Sequence, residues 1–233
     1  MNKKIAIKQI QKQGGLNQTG ELDRETVDLI RTPRCGNKDR ENKNDYYETE
    51  GTHWPFDKII TWRITKYSTN KKFQNKELDD EMEKAFKVWE NVANLRFKRL
   101  TYAYGKLDIE VKWVFGSHED GSPFDGPGGT LAHAFFPQYG GDIHFDDSED
   151  FTLNSDKSGT DLFHTMVHEI GHSLGLRHSN VRQSIMYPWV KRRIQGNNQK
   201  LELHQDDIAG IQAIYGNAFY LAGNQLNDWS CHM

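Results

Sequence analysis

At 233 residues the chain is long enough for one substantial domain and a smaller segment. A net charge of -3, with 36% hydrophobic and 27% charged residues, gives no case for a nucleic-acid surface or a membrane-binding face. No apolar run approaches a membrane span, and the opening MNKKIAIKQIQKQGG has only Ile5, Ala6 and Ile7 where a secretory leader needs a sustained apolar stretch.

Residues 5–30 carry Ile5, Ile7, Ile10, Leu16, Leu22, Val27, Leu29 and Ile30 around a Gly14-Gly15 break, which predicts short helices joined by turns, with Asp23 capping the second. Pro33 stops that pattern, and Pro33-Arg34-Cys35-Gly36 follows. Residues 37–53 are polar and charge-rich, which predicts an exposed linker, a domain boundary and a proteolysis target. Ile59 to Tyr67 alternates as a strand. Glu77 to Ala93 places Leu78, Met82, Ala85, Phe86, Trp89 and Val92 on one face of an amphipathic helix. Leu95 to Leu100 and Leu107 to Phe115 read as strands.

From Gly116 to Asp150 the chain is rich in Gly, Asp and His, with only two short strand candidates, Thr130 to Phe136 and Ile143 to Phe145. A stretch with so little regular structure needs something other than a core to order it, and metals can supply that. A basic loop from Lys191 to Lys200 and a helix from His204 to Tyr215, ended by Gly216, come last, and residues 217–233 show no pattern.

The chemistry concentrates in HEIGHSLGLRH, residues 168–178. On a helix, His168 and His172 share one face and reach one ion, with Glu169 beside it. Gly175 lets the chain leave the helix so that His178 returns as a third ligand, leaving one zinc position open, as catalytic rather than structural sites require. The plain alternative is an amphipathic core helix along Leu162, Phe163, Met166, Val167, Ile170 and Leu174, and both readings can hold together. Upstream, His118, Asp120, His133 and His144 offer three nitrogens and one oxygen, enough for a closed tetrahedral zinc. Asp125, Asp142, Asp146, Asp147 and Glu149 lie among glycines, as calcium sites do. A solvated acidic loop with incidental histidines is the alternative there.

With PRCGNKD at 33–39, HED at 118–120, DGPGGTLAHAFFP at 125–137, GDIHFDDSE at 141–149, HEIGHSLGLRHS at 168–179, SIMYP at 184–188 and DDIAGIQAIYG at 206–216, the chain resembles the matrix metalloproteinases, or matrixins. Ser179 after the third histidine is similar to that family rather than to adamalysins or astacins. The resemblance implies an α+β fold: a metzincin-type catalytic domain with a twisted mixed five-stranded sheet and three helices, preceded by a small helical propeptide. It implies boundaries at 1–45 for a propeptide, 46–216 for the zinc metalloproteinase domain and 217–233 for a tail, with no haemopexin-like domain. It further implies one structural zinc at His118, Asp120, His133 and His144. One calcium is implied at Asp125, Asp146 and Glu149 with carbonyls of Gly126, Gly128 and Thr130, and another at Asp108, Asp142 and the Gly140 carbonyl. Met186 matches the Met-turn, His164 a position that sets pocket depth, and Cys35 the cysteine switch that fills the fourth position of the catalytic zinc.

Departures are Asn37 and Lys38 in the switch motif, the spacing around His53-Trp54, and Trp189-Val190 in place of the usual tyrosine after the Met-turn. The implied function is a latent zinc endopeptidase with Glu169 as general base, acting on protein or peptide substrates of the extracellular matrix or other secreted and surface proteins, and paired with an extended substrate along Thr130 to Phe136. The implied partners are an activating protease and tissue inhibitors of metalloproteinases, around a monomeric protein. Such an enzyme is expected outside the cell, so the chain is expected to be a fragment that has lost its leader. Cys35 and Cys231 are not expected to pair. Two other classes are a proteolytically silent, metal-organised binding module and a calcium and zinc structural protein.

Overall fold

A computed structural model of the chain describes residues 3–39, 46–102, 105–153, 159–189 and 201–218. The linker's residues 40–45, the basic loop from Lys191 to Lys200, Cys231 and nearly all of the 217–233 tail lie outside the described residues.

Two short helices open the chain, α1 (Lys3–Gln13) and α2 (Arg24–Ile30). Asp23 caps α2 by accepting from the Thr26 amide at 2.9 Å, as its sequence position predicts. Buried Gln11 ties the pair together, donating to Thr19 Oγ1 and Thr26 Oγ1 at 2.8 Å each and accepting from the Gly20 amide.

The main domain follows with β1 (Ile59–Lys66), α3 (Asn75–Glu90), β2 (Arg96–Arg99), β3 (Ile109–Val114), β4 (Ala132–Ala134) and β5 (Ile143–Asp146). Two-residue strands β6 (Phe151–Thr152) and β7 (Thr160–Asp161) lead into α4 (Leu162–Ser173), and α5 (Gln205–Tyr215) closes the described chain. The five-stranded sheet runs β2-β1-β3-β5-β4, parallel except for β4, which lies antiparallel on β5 at the edge. This is the α+β architecture with a mixed five-stranded sheet, and α3, α4 and α5 are the three α-helices among the described residues of the main domain.

Alternation in β1 turns Ile60, Trp62 and Ile64 into the core, where they meet the apolar face of α3 (Leu78, Met82, Ala85, Phe86, Trp89). α4 is buried along its length from Thr165 to Ser173, so it is the central helix of the domain. Trp89 donates its indole N–H to the Val167 carbonyl at 2.9 Å, fixing α3 against α4 without an unpaired buried donor. At Gly171 the helices come so close that a Cβ would stand 3.1 Å from Trp89 Cζ2 and collide with the Met186 sulfur, which accounts for glycine inside a helix. Buried Asp207, in the first turn of α5, accepts from the Ile185 amide at 2.9 Å and the Met186 amide at 3.1 Å and bonds the Ser184 hydroxyl. One carboxylate thereby holds the 184–186 turn beneath α4.

The polar stretch read as an exposed linker is built into the domain over residues 47–54. Tyr47 N–H donates to Asp206 Oδ1 at 2.8 Å, Glu50 N–H to the Gly175 carbonyl at 2.8 Å, and Arg177 N–H to the Glu48 carbonyl at 2.8 Å. Glu50 pairs with Arg177, and Trp54 sits in the core with its indole N–H on the Ser173 carbonyl at 2.9 Å. Polar composition hid this because main-chain hydrogen bonds leave no trace in side-chain type.

Candidate active site

α4 begins at Asp161, whose carboxylate accepts from the His164 amide at 3.1 Å, and sets His168 and His172 one turn apart. The helix stops at Ser173 because Gly175 adopts φ +105, with the Thr52 carbonyl 2.5 Å from where a Cβ would stand. His178 then returns to the other two histidines, its ring centroid 4.7 Å from His172 and 5.3 Å from His168. His168 Nδ1 donates to the Ile185 carbonyl and His172 Nδ1 to the Leu176 carbonyl, both at 2.7 Å. A carbonyl only accepts, so each ring keeps a lone pair on Nε2, and these two buried Nε2 atoms have no hydrogen-bond partner. Burial, reinforced by the neighbouring His178, holds both rings well below the ordinary histidine range, in the neutral form that binds metals.

Cys35 enters this centre from the N-terminal segment, and its sulfur lies within 4.8 Å of a ring nitrogen of each of the three histidines. Burial, with the Glu169 charge adding to it, pushes the thiol well above its usual range, so ionisation there requires a local cation. Three neutral imidazoles and a thiol are a zinc donor set. Glu169 is fully buried, and burial pushes its carboxyl up to about 8, opposed by the Cys35 thiol beside it.

The segment that carries Cys35 is held on both sides. Arg34 N–H donates to the Gly129 carbonyl at 3.0 Å, Leu131 N–H to the Arg34 carbonyl at 2.9 Å, Gly36 N–H to the Ala132 carbonyl at 2.8 Å, and Cys35 N–H to the Pro188 carbonyl at 2.9 Å. Asn37 closes a two-bond ring with the Ala134 peptide, its Nδ2 donating to the carbonyl and its Oδ1 accepting from the amide, each at 2.9 Å. Asp39 pairs with Arg34 at 2.8 Å and meets His178 Nδ1 at 2.8 Å. Burial would raise Asp39, but His178 and Arg34 outweigh it and hold the carboxyl low. Further out, Leu29, Ile10 and Leu16 pack on Tyr187 and Trp189, and Tyr187 donates its hydroxyl to the Gly14 carbonyl at 3.1 Å.

A second centre gathers His118, Asp120, His133 and His144. Glu119 at φ +70 bends the chain so that His118 and Asp120 face the same point. His118 Nε2, His133 Nε2 and His144 Nδ1 stand 2.7, 2.7 and 2.9 Å from the single oxygen Asp120 Oδ2. His118 gives its Nδ1–H to the Gly116 carbonyl at 2.8 Å and turns Nε2 to the same carboxylate oxygen as the other two rings, a convergence that a shared cation stabilises. Burial lowers His144 to about 4 and also lowers His133.

The acidic residues divide into two groups. Glu149 Oε1 accepts from the Gly128 amide at 2.7 Å and the Gly129 amide at 3.3 Å, and Asp125 Oδ1 accepts from the Thr130 amide at 2.8 Å. Gly126 and Gly128 turn at φ +88 and +90, and fully buried Asp146 leaves Oδ2 without a partner. Burial raises Glu149, with Asp146 and Asp125 adding repulsion, so the group fits a cation. Asp108 differs. Lys58 Nζ stands 2.5 Å from its Oδ1, and Oδ2 takes the Thr61 amide at 3.0 Å, so an ammonium already holds the charge. Asp142 accepts from the Glu110 amide at 2.8 Å, burial pushes its carboxyl up, and Gly140 ends a 3-10 turn over Pro137–Tyr139. At Asp108 the Lys58 ammonium thus stands where the resemblance implies a calcium. Asp147 serves Ser68 and Thr69 instead.

The mixed sheet with one antiparallel edge, over a helix bearing paired histidines that a glycine turn returns to a third, defines the metzincin type of fold. The matrixin family model, a peptidase family, matches residues 53–216, and the chain belongs to that family. It is 41% identical over 216 residues to the hatching enzyme of Paracentrotus lividus, covering 93% of this chain and 35% of that protein. Interstitial collagenase of Equus caballus is 42% identical over 212 residues, 90% of this chain and 42% of its own, and matrix metalloproteinase-16 of Homo sapiens is 40% identical over 226 residues, 91% and 36%. The chain thus spans between 35% and 42% of the length of these curated relatives.

Proposed function

We propose that the chain is the latent form of a zinc-dependent endopeptidase, with residues 1–45 as propeptide and 46–216 as catalytic domain. The observation that carries this reading is the Cys35 sulfur set among the nitrogens of His168, His172 and His178, in a segment paired to the edge strand beside Glu169. The three histidines would hold the zinc and Cys35 would fill the fourth position until the propeptide leaves. When bound, zinc polarises a scissile carbonyl and lowers the pKa of water toward neutrality. Glu169 takes a proton from the attacking water and returns it to the leaving nitrogen, a role suited to a carboxyl whose burial raises its basicity. β4 offers main-chain groups to an extended substrate, which fixes the peptide and leaves selectivity to side-chain pockets.

His118, Asp120, His133 and His144 would hold a structural zinc, and Asp125, Asp146 and Glu149 with the Gly126, Gly128 and Thr130 carbonyls a calcium. The Lys58 ammonium supplies the positive charge at Asp108. The proposed substrates are proteins of the extracellular matrix or other secreted and surface proteins, with secretion, an activating protease and inhibition by tissue inhibitors of metalloproteinases following from the same reading. A silent binding module is disfavoured, because it has no use for a buried general base at Glu169 beside the three histidines.

The test is turnover of a quenched unstructured peptide by the zinc-loaded chain before and after a cut between Asp39 and Trp54, with and without chelator. Turnover only after the cut, abolished by chelator and reduced at least about a hundredfold in zinc-loaded Glu169→Gln, is the expected result. Equal turnover in zinc-loaded Glu169→Gln would overturn the assignment of the base.

A further inference from the structure

Residues 34–35 lie in the cleft as an extended strand with partners on both walls. On the sheet side Arg34 uses the Gly129 carbonyl and the Leu131 amide, and on the other side Cys35 uses the Pro188 carbonyl. Arg34 forms β-bridges to Thr130 on one wall and to Trp189 on the other. Its guanidinium carbon stands 4.5 Å from the centroid of the Trp189 ring. The indole is supported from behind by Tyr187, whose ring lies 5.5 Å away, and Trp189 is only 4% exposed in the intact chain.

Of the groups in this grip, only those of the N-terminal segment depart when the propeptide does. Gly129, Leu131, Pro188, Tyr187 and Trp189 stay. The remaining main-chain donors and acceptors accept any extended peptide, because they read backbone and not sequence. The Trp189 ring is different: its face attracts cations, indole more strongly than other rings, and a planar, weakly hydrated guanidinium stacks on it best. Asp39 and the Cys35 carbonyl, the other partners of the Arg34 guanidinium, belong to the proposed propeptide and leave with it.

We infer that Trp189 is a specificity-determining residue whose ring forms a subsite for a cationic side chain of the substrate, arginine above all, with Arg34 as its stand-in in the latent chain. The inference rests on the peptidase reading given above. Extended peptides present alternate side chains to a wall of this kind, so the preference falls at one position near the scissile bond and not along the whole peptide.

The experiment compares peptides that differ only in arginine or citrulline at each of the three positions after the scissile bond, cleaved by the zinc-loaded full chain after the cut between Asp39 and Trp54. Citrulline keeps the shape of arginine and removes the charge. At one position the arginine peptide should show about fivefold higher kcat/KM, the size of a partly desolvated cation–π contact. The ratio should fall to near one in Trp189→Leu and survive in part in Trp189→Phe. Because both peptides meet the same preparation, the ratio does not depend on how much of a variant folds. A ratio near one at all three positions, or an unchanged ratio in Trp189→Leu, would overturn the inference. Absence of cleavage of every peptide would overturn the peptidase reading and this subsite with it.

Discussion

Replacing Asn37 by leucine removes both bonds of the ring that its carboxamide forms with the Ala134 peptide, each 2.9 Å long. Each such bond contributes about 1 kcal/mol net, so the latched state should lose about 2 kcal/mol, and the fraction of molecules with the thiol lifted from the centre should rise about 30-fold. Leucine also leaves the Ala134 amide with no donor–acceptor partner at that position, and Ala134 is only 6% exposed, so water replaces the lost bonds poorly. The assay is the rate at which a maleimide labels Cys35 in the zinc-loaded full chain carrying Cys231→Ser, so that one thiol reports. With reclosing faster than labelling, the rate follows the open fraction directly. Asn37→Asp should be as fast or faster, since its carboxylate keeps the bond to the amide but faces the Ala134 carbonyl with like charge. Equal labelling of Asn37→Leu and its parent would refute the clamp, whereas rapid labelling of the parent would instead refute Cys35 as the latch.

Uncut Cys35→Ser should cleave peptide where the uncut parent does not, because a serine hydroxyl is a far poorer zinc ligand than a thiolate; equal activity in the two would remove the cysteine from the mechanism. Selective calcium removal should lower the melting temperature while zinc content stays constant, since a ligand that binds only the folded state at a hundred times its Kd contributes about 2.7 kcal/mol, and an unchanged melting temperature would count against the Asp125, Asp146 and Glu149 site. Gly171→Ala should destabilise despite a helix-propensity gain of about 1 kcal/mol, because the new methyl meets Met186 and Trp89 in the core and overpacking costs about 1–3 kcal/mol. A melting temperature at or above that of the parent would show that the packing at this point yields.

Local pattern made the main elements legible. Alternation announced β1, which spans Ile59–Lys66, and the apolar stripe announced α3, which spans Asn75–Glu90. The histidine clusters were readable because their spacing is local or bracketed by glycines that only a turn explains. The edge strand was expected over Thr130 to Phe136 but forms only over Ala132–Ala134, because flanking residues spend their hydrogen bonds on Arg34 and on Asp142. β6 and β7 are too short for any periodicity. What stayed hidden depends on partners far along the chain. Asn37 meets Ala134 across 97 positions, and Lys58 meets Asp108 across 50. Neither residue type signals its partner. The small apolar cluster of Leu29, Tyr187 and Trp189 was likewise invisible, since its members come from two segments that each look too poor in apolar residues to anchor anything.

The two margins of the sheet are guarded by different means. β2, at one margin, is Arg96-Phe97-Lys98-Arg99, and a row of like charges discourages another chain from adding a strand there. β4, at the opposite margin, is Ala132-His133-Ala134, small and without a formal charge of its own, and in the intact chain Gly36 and Asn37 cover it. Losing that cover bares a short open template on which any extended polypeptide can continue the sheet, a second copy of the protein included. If the N-terminal segment is the propeptide proposed above, its removal opens this margin, and crowded, freshly trimmed molecules should be the ones that precipitate or cut one another.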